Sequence, residues 1–166
     1  MTERPAFRAA SLLQALHEAD VRFVVIGGIA AQAQGSPVMT EDLDVCHATD
    51  RDNLERLAGV LRDLAAVRRG MPDGISAPLD ARALRAAAVL TLTTRHGDLD
   101  LLSAPEPGLD YEKLVSNAER FAIDGMELLV ASVDDLIAMK SFANRPKDQA
   151  ALHHLGALRQ VIDQQR

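Results

Sequence analysis

Two acidic pairs are the residues of this chain best suited to bind a cation. Asp42-Leu-Asp44 and Asp98-Leu-Asp100 each alternate carboxylates with a leucine. In an extended strand, successive side chains point to opposite faces, so the two carboxylates of a pair share one face. Carboxylate oxygens favour hard cations, chiefly Mg²⁺ or Mn²⁺. The pattern predicts a divalent-metal site; the alternative is that Asp42 and Asp44 are solvated residues at a strand end.

A double glycine precedes the first acidic pair. The apolar run from Phe23 to Ile26 predicts a buried strand, and Gly27 and Gly28 follow it directly. Glycine lacks a Cβ, so a ligand can approach the backbone N–H groups. A short helix is predicted over residues 29–34, and a helix N-terminus attracts anions. Combined with the acidic pair, this arrangement favours a site for a phosphate and its metal over the solvated interpretation.

A two-metal phosphoryl-transfer site needs a third carboxylate. Asp100 is followed by apolar residues, which predicts that it lies inside a strand. Asp98 follows Gly97, and this position is predicted to lie in the hairpin turn that ends a strand over residues 88–94. Asp100 is therefore the preferred third ligand, and Asp98 is kept as the alternative.

A lysine lies on the inner face of a late helix. Ser132 begins this helix with a pattern typical of an N-terminal cap, and the apolar stripe that includes Leu136 continues to Lys140. A lysine on an apolar stripe needs an anionic partner. Two interpretations stay open. Lys140 forms a structural ion pair with Asp148 of the final helix, or reaches a triphosphate while Asp148 orients it, and both can hold together.

The chain resembles the nucleotidyltransferase superfamily that shares the core of DNA polymerase β, in particular the minimal nucleotidyltransferases and the AbiEii-type toxins. The matching residues, in order, are Gly27-Gly28, Gly35, Thr40, Asp42-Leu43-Asp44, Leu99-Asp100-Leu101 and the segment from Lys140 to Asp148. The resemblance implies an α+β, polymerase-β-like fold, with a short mixed sheet and helices packed mainly on one face. The implied site residues are Asp42, Asp44 and Asp100 as catalytic metal ligands for Mg²⁺ or Mn²⁺, Gly27, Gly28, Thr40 and Lys140 for the nucleotide, and Asp148 as support.

The implied reaction is transfer of a nucleoside monophosphate from an NTP to an acceptor hydroxyl on a tRNA, a protein or a small molecule. A toxin–antitoxin pair is one implied setting, with an antitoxin or a second copy of the chain as partner. The alternative is a catalytically degenerate module that binds a nucleotide or a partner protein. It is favoured by Val38, which stands where relatives often carry arginine. A metal-dependent glycosyltransferase also uses Asp-x-Asp, but the short chain and the double-glycine helix argue against it.

Length and composition set further expectations. The 166 residues predict one domain (1–166), with an N-terminal helix at 5–19, a core at 22–131 and C-terminal helices at 132–163. A net charge of −6 argues against a broad nucleic-acid surface. Basic residues such as Arg68 and Arg69 are predicted to be solvated helix charges, with a small RNA-contacting patch as the alternative. The single cysteine, Cys46, and the lack of any apolar stretch of membrane-spanning length predict a cytoplasmic protein that does not associate with membranes.

Overall fold

A computed structural model describes residues 3–72 and 74–166. The strands are β1 (Phe23–Ile26), β2 (Asp42–His47), β3 (Val67–Arg68), β4 (Val89–Thr94), β5 (Gly97–Leu102), β6 (Glu119–Ile123) and β7 (Met126–Val130). The helices are α1 (Ala9–Glu18), α2 (Gly27–Ala33), α3 (Arg51–Asp63), α4 (Ala81–Ala86), α5 (Tyr111–Asn117), α6 (Val133–Ala143) and α7 (Pro146–Gln165). In the described parts of the chain, no helix has the length and apolar character needed to cross a bilayer.

The strands form one mixed sheet in the order β3-β4-β5-β2-β1-β7-β6. Strand β2 pairs antiparallel with β1 and parallel with β5. The two strands that carry the acidic pairs are therefore neighbours, with Asp42 opposite Asp98 and Asp44 opposite Asp100. Paired residues on adjacent strands face the same side of a sheet, so the register places all four carboxylates on one face. The mixed sheet with its helices confirms the predicted α+β fold.

The alternation that places the aspartates on one face of the sheet places their neighbours in the core. Leu43 and Val45 of β2 are fully buried, as is Leu99 of β5. They join a core cluster that includes the inner leucines of α1 and α3. Helix α3 begins at Arg51, because the side chain of Asp50 caps it by accepting from the Asn53 backbone N–H at 3.1 Å. The core thus holds β2 and β5 rigidly behind the acidic face.

The first helix begins at Ala9, so the predicted start at residue 5 is wrong. The segment before it runs along the β4–β5 hairpin, where the Arg8 N–H donates to the His96 carbonyl at 2.9 Å. Gly97 has a φ of +98°, and a Cβ there would lie 2.7 Å from the Phe7 Cα. The absence of a side chain at Gly97 therefore lets this segment pack as an extended chain against the hairpin.

Two strands, β3 and β6, were not predicted from the sequence. Strand β3 has only two residues, and β6 lies at the sheet edge with mostly exposed side chains, so neither shows a clear apolar pattern. A turn signal does follow β6. Asp124 and Gly125 have φ values of +49° and +79°, which is the backbone that a two-residue hairpin favours.

Candidate active site

The structure brings the three preferred acidic residues together. Asp42, Asp44 and Asp100 each offer a carboxylate oxygen, and these atoms lie within 4.8 Å of one another. All three side chains are half-buried. The parallel pairing of β2 with β5 produces this arrangement, because it aligns Asp44 with Asp100 on the face that Asp42 also occupies. Their roles as metal ligands and catalytic residues remain predictions.

The electrostatics of this cluster favour a bound cation. Burial, together with the neighbouring charges of Asp42 and Asp100, raises the pKa of Asp44 to about 8. Burial also raises the pKa of Asp100, although the charge of Arg69 opposes that shift. A divalent cation among the carboxylates would offset both effects and let all three ionise. A donor set made only of oxygens, at these separations, fits Mg²⁺ or Mn²⁺.

The glycine pair lies against the acidic strand. Gly27 has a φ of +68°, and a Cβ at this position would collide with the carboxylate of Asp44. A Cβ at Gly28 would lie 2.7 Å from the Thr40 Cβ. The glycines are therefore required by the protein's own side chains, apart from any ligand. Helix α2 begins at Gly27, two residues before the predicted start.

Thr40 acts on the acidic cluster directly. Its hydroxyl donates to Asp42 Oδ1 at 2.9 Å, which fixes the orientation of that carboxylate. Thr40 also lines the same cavity as the glycine pair. Its predicted contact with a nucleotide remains a prediction.

Lys140 and Asp148 are in contact, as the ion-pair interpretation requires. Lys140 Nζ lies 3.2 Å from Asp148 Oδ1. The larger share of the bonding to Asp148 comes from Arg145, whose Nε and Nη2 donate at 2.8 and 3.2 Å and whose backbone N–H donates at 3.0 Å. The hydrogen bonds from Arg145 are the main cause that lowers the pKa of the fully buried Asp148 to about 2. Asp148 therefore keeps a cationic partner even without Lys140.

Asp98 does not lie in the turn, so the predicted placement is wrong. It is the second residue of β5, and its side chain is only 1% exposed. Asp98 Oδ1 accepts from the Thr93 hydroxyl at 2.9 Å, and Oδ2 pairs with the guanidinium groups of Arg4 and Arg69. These partners occupy Asp98, and Asp100 is the carboxylate that groups with Asp42 and Asp44 within 4.8 Å.

Arg69 and Arg145 are the site residues that sequence reasoning missed. Arg69 was predicted to be a solvated helix charge; instead it follows β3, and its Nη2 donates to Asp100 Oδ1 at 2.8 Å. No local pattern could show this contact, because the two residues are 31 positions apart. Arg145 had a signal, since it stands three residues before Asp148 at the start of α7 and closes a capping box with it.

These groups line one cavity of about 610 Å³. Its basic residues are Arg4, Arg69, Lys140, Arg145 and Lys147. Val38 also lines the cavity, at the position where the family resemblance implies an arginine. Cations from α6, from the start of α7 and from the segment after β3 therefore surround the acidic cluster in spite of that valine.

No protein-family model matches the sequence, and a search of curated proteins finds no match. Several solved structures are similar in fold. The lincomycin-bound lincosamide antibiotic adenylyltransferase LnuA has a TM-score of 0.62 at 11% identity, over 92% of this chain and 99% of that chain. ANT(2'')-Ia in complex with adenylyl-2''-tobramycin has a TM-score of 0.56 at 15% identity, over 88% of this chain and 83% of that chain. A candidate nucleotidyltransferase from Thermotoga maritima gives 0.55 at 16%, over 87% of each chain. The chain therefore has the nucleotidyltransferase fold.

Proposed function

We propose that this protein is a metal-dependent nucleotidyltransferase. One observation carries the proposal: Asp42, Asp44 and Asp100 converge on the wall of a cavity that also contains the glycine pair and Lys140. Acidic oxygens beside phosphate-binding backbone and a lysine are the groups that nucleotidyl transfer requires. The similarity in fold to LnuA, an antibiotic adenylyltransferase by name, and to ANT(2'')-Ia, which is in complex with adenylyl-2''-tobramycin, supports the same reaction class.

The residues divide by role. Asp42, Asp44 and Asp100 would hold Mg²⁺ or Mn²⁺, which when bound neutralises charge on the phosphates and favours ionisation of the acceptor hydroxyl. The glycine pair, Thr40 and Lys140 would bind the β- and γ-phosphates, with Asp148 orienting the lysine. The acceptor oxygen bonds to the α-phosphorus as the bond to the bridging oxygen breaks, pyrophosphate leaves with the electron pair, and the hydroxyl proton passes to water.

The cavity volume of about 610 Å³ lies within the usual range for a small-molecule site. LnuA is bound to lincomycin, and ANT(2'')-Ia to an adenylylated tobramycin, so each handles a small antibiotic. We therefore rank a small hydroxylated molecule first as acceptor, ahead of tRNA and protein. A role in an AbiEii-type toxin–antitoxin pair, with an antitoxin or a second copy as partner, is one setting that the sequence resemblance implies.

A degenerate nucleotide-binding module is the second candidate, and one observation favours it. Arg69 donates to Asp100 and, together with Arg4, pairs with Asp98. Guanidinium groups therefore compensate part of the acidic charge without any metal. A module that binds a nucleotide but transfers nothing would retain this arrangement.

The deciding experiment incubates the protein with each α-³²P-labelled NTP and with Mg²⁺ or Mn²⁺. Separate reactions contain a lincosamide, an aminoglycoside, total RNA or a cell lysate as acceptor. We expect label to pass to one acceptor class in wild type and in no reaction of Asp42→Asn or Asp44→Asn. Metal-dependent NTP binding without transfer in any reaction would favour the degenerate module. Transfer that survives both substitutions would refute the proposed site.

A further inference from the structure

We infer that Arg69 is a positioning residue that holds Asp100 in the orientation that lets it join Asp42 and Asp44. The inference rests on the proposed function, because Asp100 needs this orientation only if the three carboxylates share a metal. It concerns a residue on the edge of the sheet that shows no sequence signal for a site. Three observations carry it: the contacts of Arg69, its path across the sheet, and the charge that it faces.

Arg69 is fixed at both ends. Its backbone N–H donates to the Thr91 carbonyl at 2.9 Å, which anchors it to β4. Its Nη2 donates to the Leu92 carbonyl at 3.1 Å and to Asp100 Oδ1 at 2.8 Å, while its Nε lies 3.3 Å from Asp98 Oδ2. With Oδ1 held by Arg69, the Asp100 carboxylate has its other oxygen available for the acidic cluster.

The path of the side chain requires an arginine. The sheet order places β4 between β3 and β5, and neighbouring strands lie about 4.8 Å apart, so the side chain must cross a whole strand. The residues of β4 that pair with Asp98 and Asp100 are Thr93 and Thr91, whose small side chains leave room above the sheet. Lysine is also long, but its single ammonium lacks the planar fork that bridges two carboxylates.

The negative charge on this face of the sheet explains why Asp100 needs the guanidinium bridge, in which Arg69 contacts both Asp98 and Asp100. Asp98 and Asp100 share one side of β5, and the paired strand β2 adds Asp42 and Asp44 beside them. Ionised carboxylates at strand spacing repel one another, and rotation away from the others would relieve that repulsion for Asp100, which is less buried than Asp98. The guanidinium bridge opposes this rotation by bonding Asp100 to the nearly buried Asp98.

The test is Mn²⁺ affinity, measured by calorimetry on wild type, Arg69→Met and Arg69→Lys, together with the melting temperature. The matched control is Arg120→Met, because Arg120 pairs with Glu127 on the exposed β6–β7 hairpin and its side chain is 75% exposed. If Arg69 acted only as a charge, its removal would raise Mn²⁺ affinity. Positioning predicts the opposite sign: a loss of about 10–100-fold in affinity for Arg69→Met, the usual scale for an outer partner of a metal ligand.

We expect Arg69→Lys to bind Mn²⁺ well below the wild-type affinity and Arg120→Met to bind it with the wild-type affinity. In Arg69→Met, kcat of nucleotidyl transfer should also fall, with little change in KM for NTP. The lysine variant keeps a cation near Asp98, so it decides the matter if Arg69→Met does not fold. Unchanged or raised Mn²⁺ affinity in folded Arg69→Met, or wild-type affinity in Arg69→Lys, overturns the inference. Wild type that binds Mn²⁺ but transfers no nucleotide overturns only the proposed reaction. Wild type that binds no Mn²⁺, even with NTP, overturns both.

Discussion

Replacement of Asp44 by asparagine should stabilise the metal-free protein at neutral pH. Burial, together with the charges of Asp42 and Asp100, raises the pKa of Asp44 from 3.8 to about 8. At pH 7 the folded protein therefore retains a proton that the unfolded chain has released. Folding must take up that proton, which costs free energy. Asparagine is neutral at every pH and avoids this cost while it keeps nearly the same shape.

The size of the effect follows from the pKa. Each pKa unit corresponds to 1.36 kcal/mol, so the interval between 3.8 and pH 7 sets a ceiling of about 4 kcal/mol. The substitution also disturbs the hydrogen bond that Asp44 shares with Asp100. That disturbance costs about 1 kcal/mol of stability and offsets part of the gain. We expect Asp44→Asn to raise the free energy of unfolding by about 1–3 kcal/mol at pH 7.

The pH dependence gives a second signature. Because the folded pKa lies above the unfolded one, metal-free wild type should lose stability as the pH rises from about 4 to about 8. Asp44→Asn should lack this decline. Urea unfolding at pH 5 and pH 7.5 in the presence of a chelator measures both. Addition of Mg²⁺ and NTP should then stabilise wild type and leave the variant unchanged, since the variant has lost a predicted ligand.

Asp163→Asn is the matched control, because Asp163 lies near the end of α7 with its side chain 54% exposed, and its one ion pair in the described chain is with Arg159. It should change neither the stability nor its pH dependence by more than about 0.5 kcal/mol. Asp44→Asn that is less stable than wild type at pH 7.5 without metal would refute the reasoning. That result would assign the Asp44 carboxylate a structural hydrogen bond.

Three further substitutions test the surroundings of the site. Asp148→Asn should lower the free energy of unfolding by about 2 kcal/mol at pH 7, because the pKa of Asp148 is lowered to about 2 and its ionised carboxylate stabilises the fold above pH 4. This loss should shrink as the pH falls toward 2, and a variant as stable as wild type at pH 7 would contradict the prediction. Gly28→Ala should lower the free energy of unfolding by about 1–3 kcal/mol in thermal melts, because the new Cβ would collide with Thr40. Gly156→Ala, where the Cβ enters open space on α7, should be neutral or stabilising, and equal effects of the two substitutions would contradict the packing argument. Lys140→Met should change the free energy of unfolding by less than about 1 kcal/mol, because Arg145 still pairs with Asp148, but it should weaken NTP binding in calorimetry by about 1–3 kcal/mol. Unchanged NTP affinity would show that Lys140 serves only as the ion-pair partner of Asp148.

The acidic face and the glycine turn could be predicted from the sequence because they depend on local rules. The alternation of Asp42-Leu43-Asp44 fixes which side chains share a face, since the period of a strand is two. An apolar run ended by two glycines predicts a buried strand and a turn, and β1 and α2 lie there. The Asp50 cap at the start of α3 is another local signal, because aspartate is a preferred residue just before the first turn of a helix.

Only the tertiary structure decided which distant groups complete the site. Whether Asp98 or Asp100 joins Asp42 and Asp44 depends on partners contributed by the N-terminal segment and the chain after β3, which lie far away in sequence. Arg69 reaches Asp100 because the strand order leaves only β4 between β3 and β5, a distance that an arginine side chain can cross. Strand order and register result from the packing of the whole core, and they leave no periodic trace in the short exposed strand that precedes Arg69.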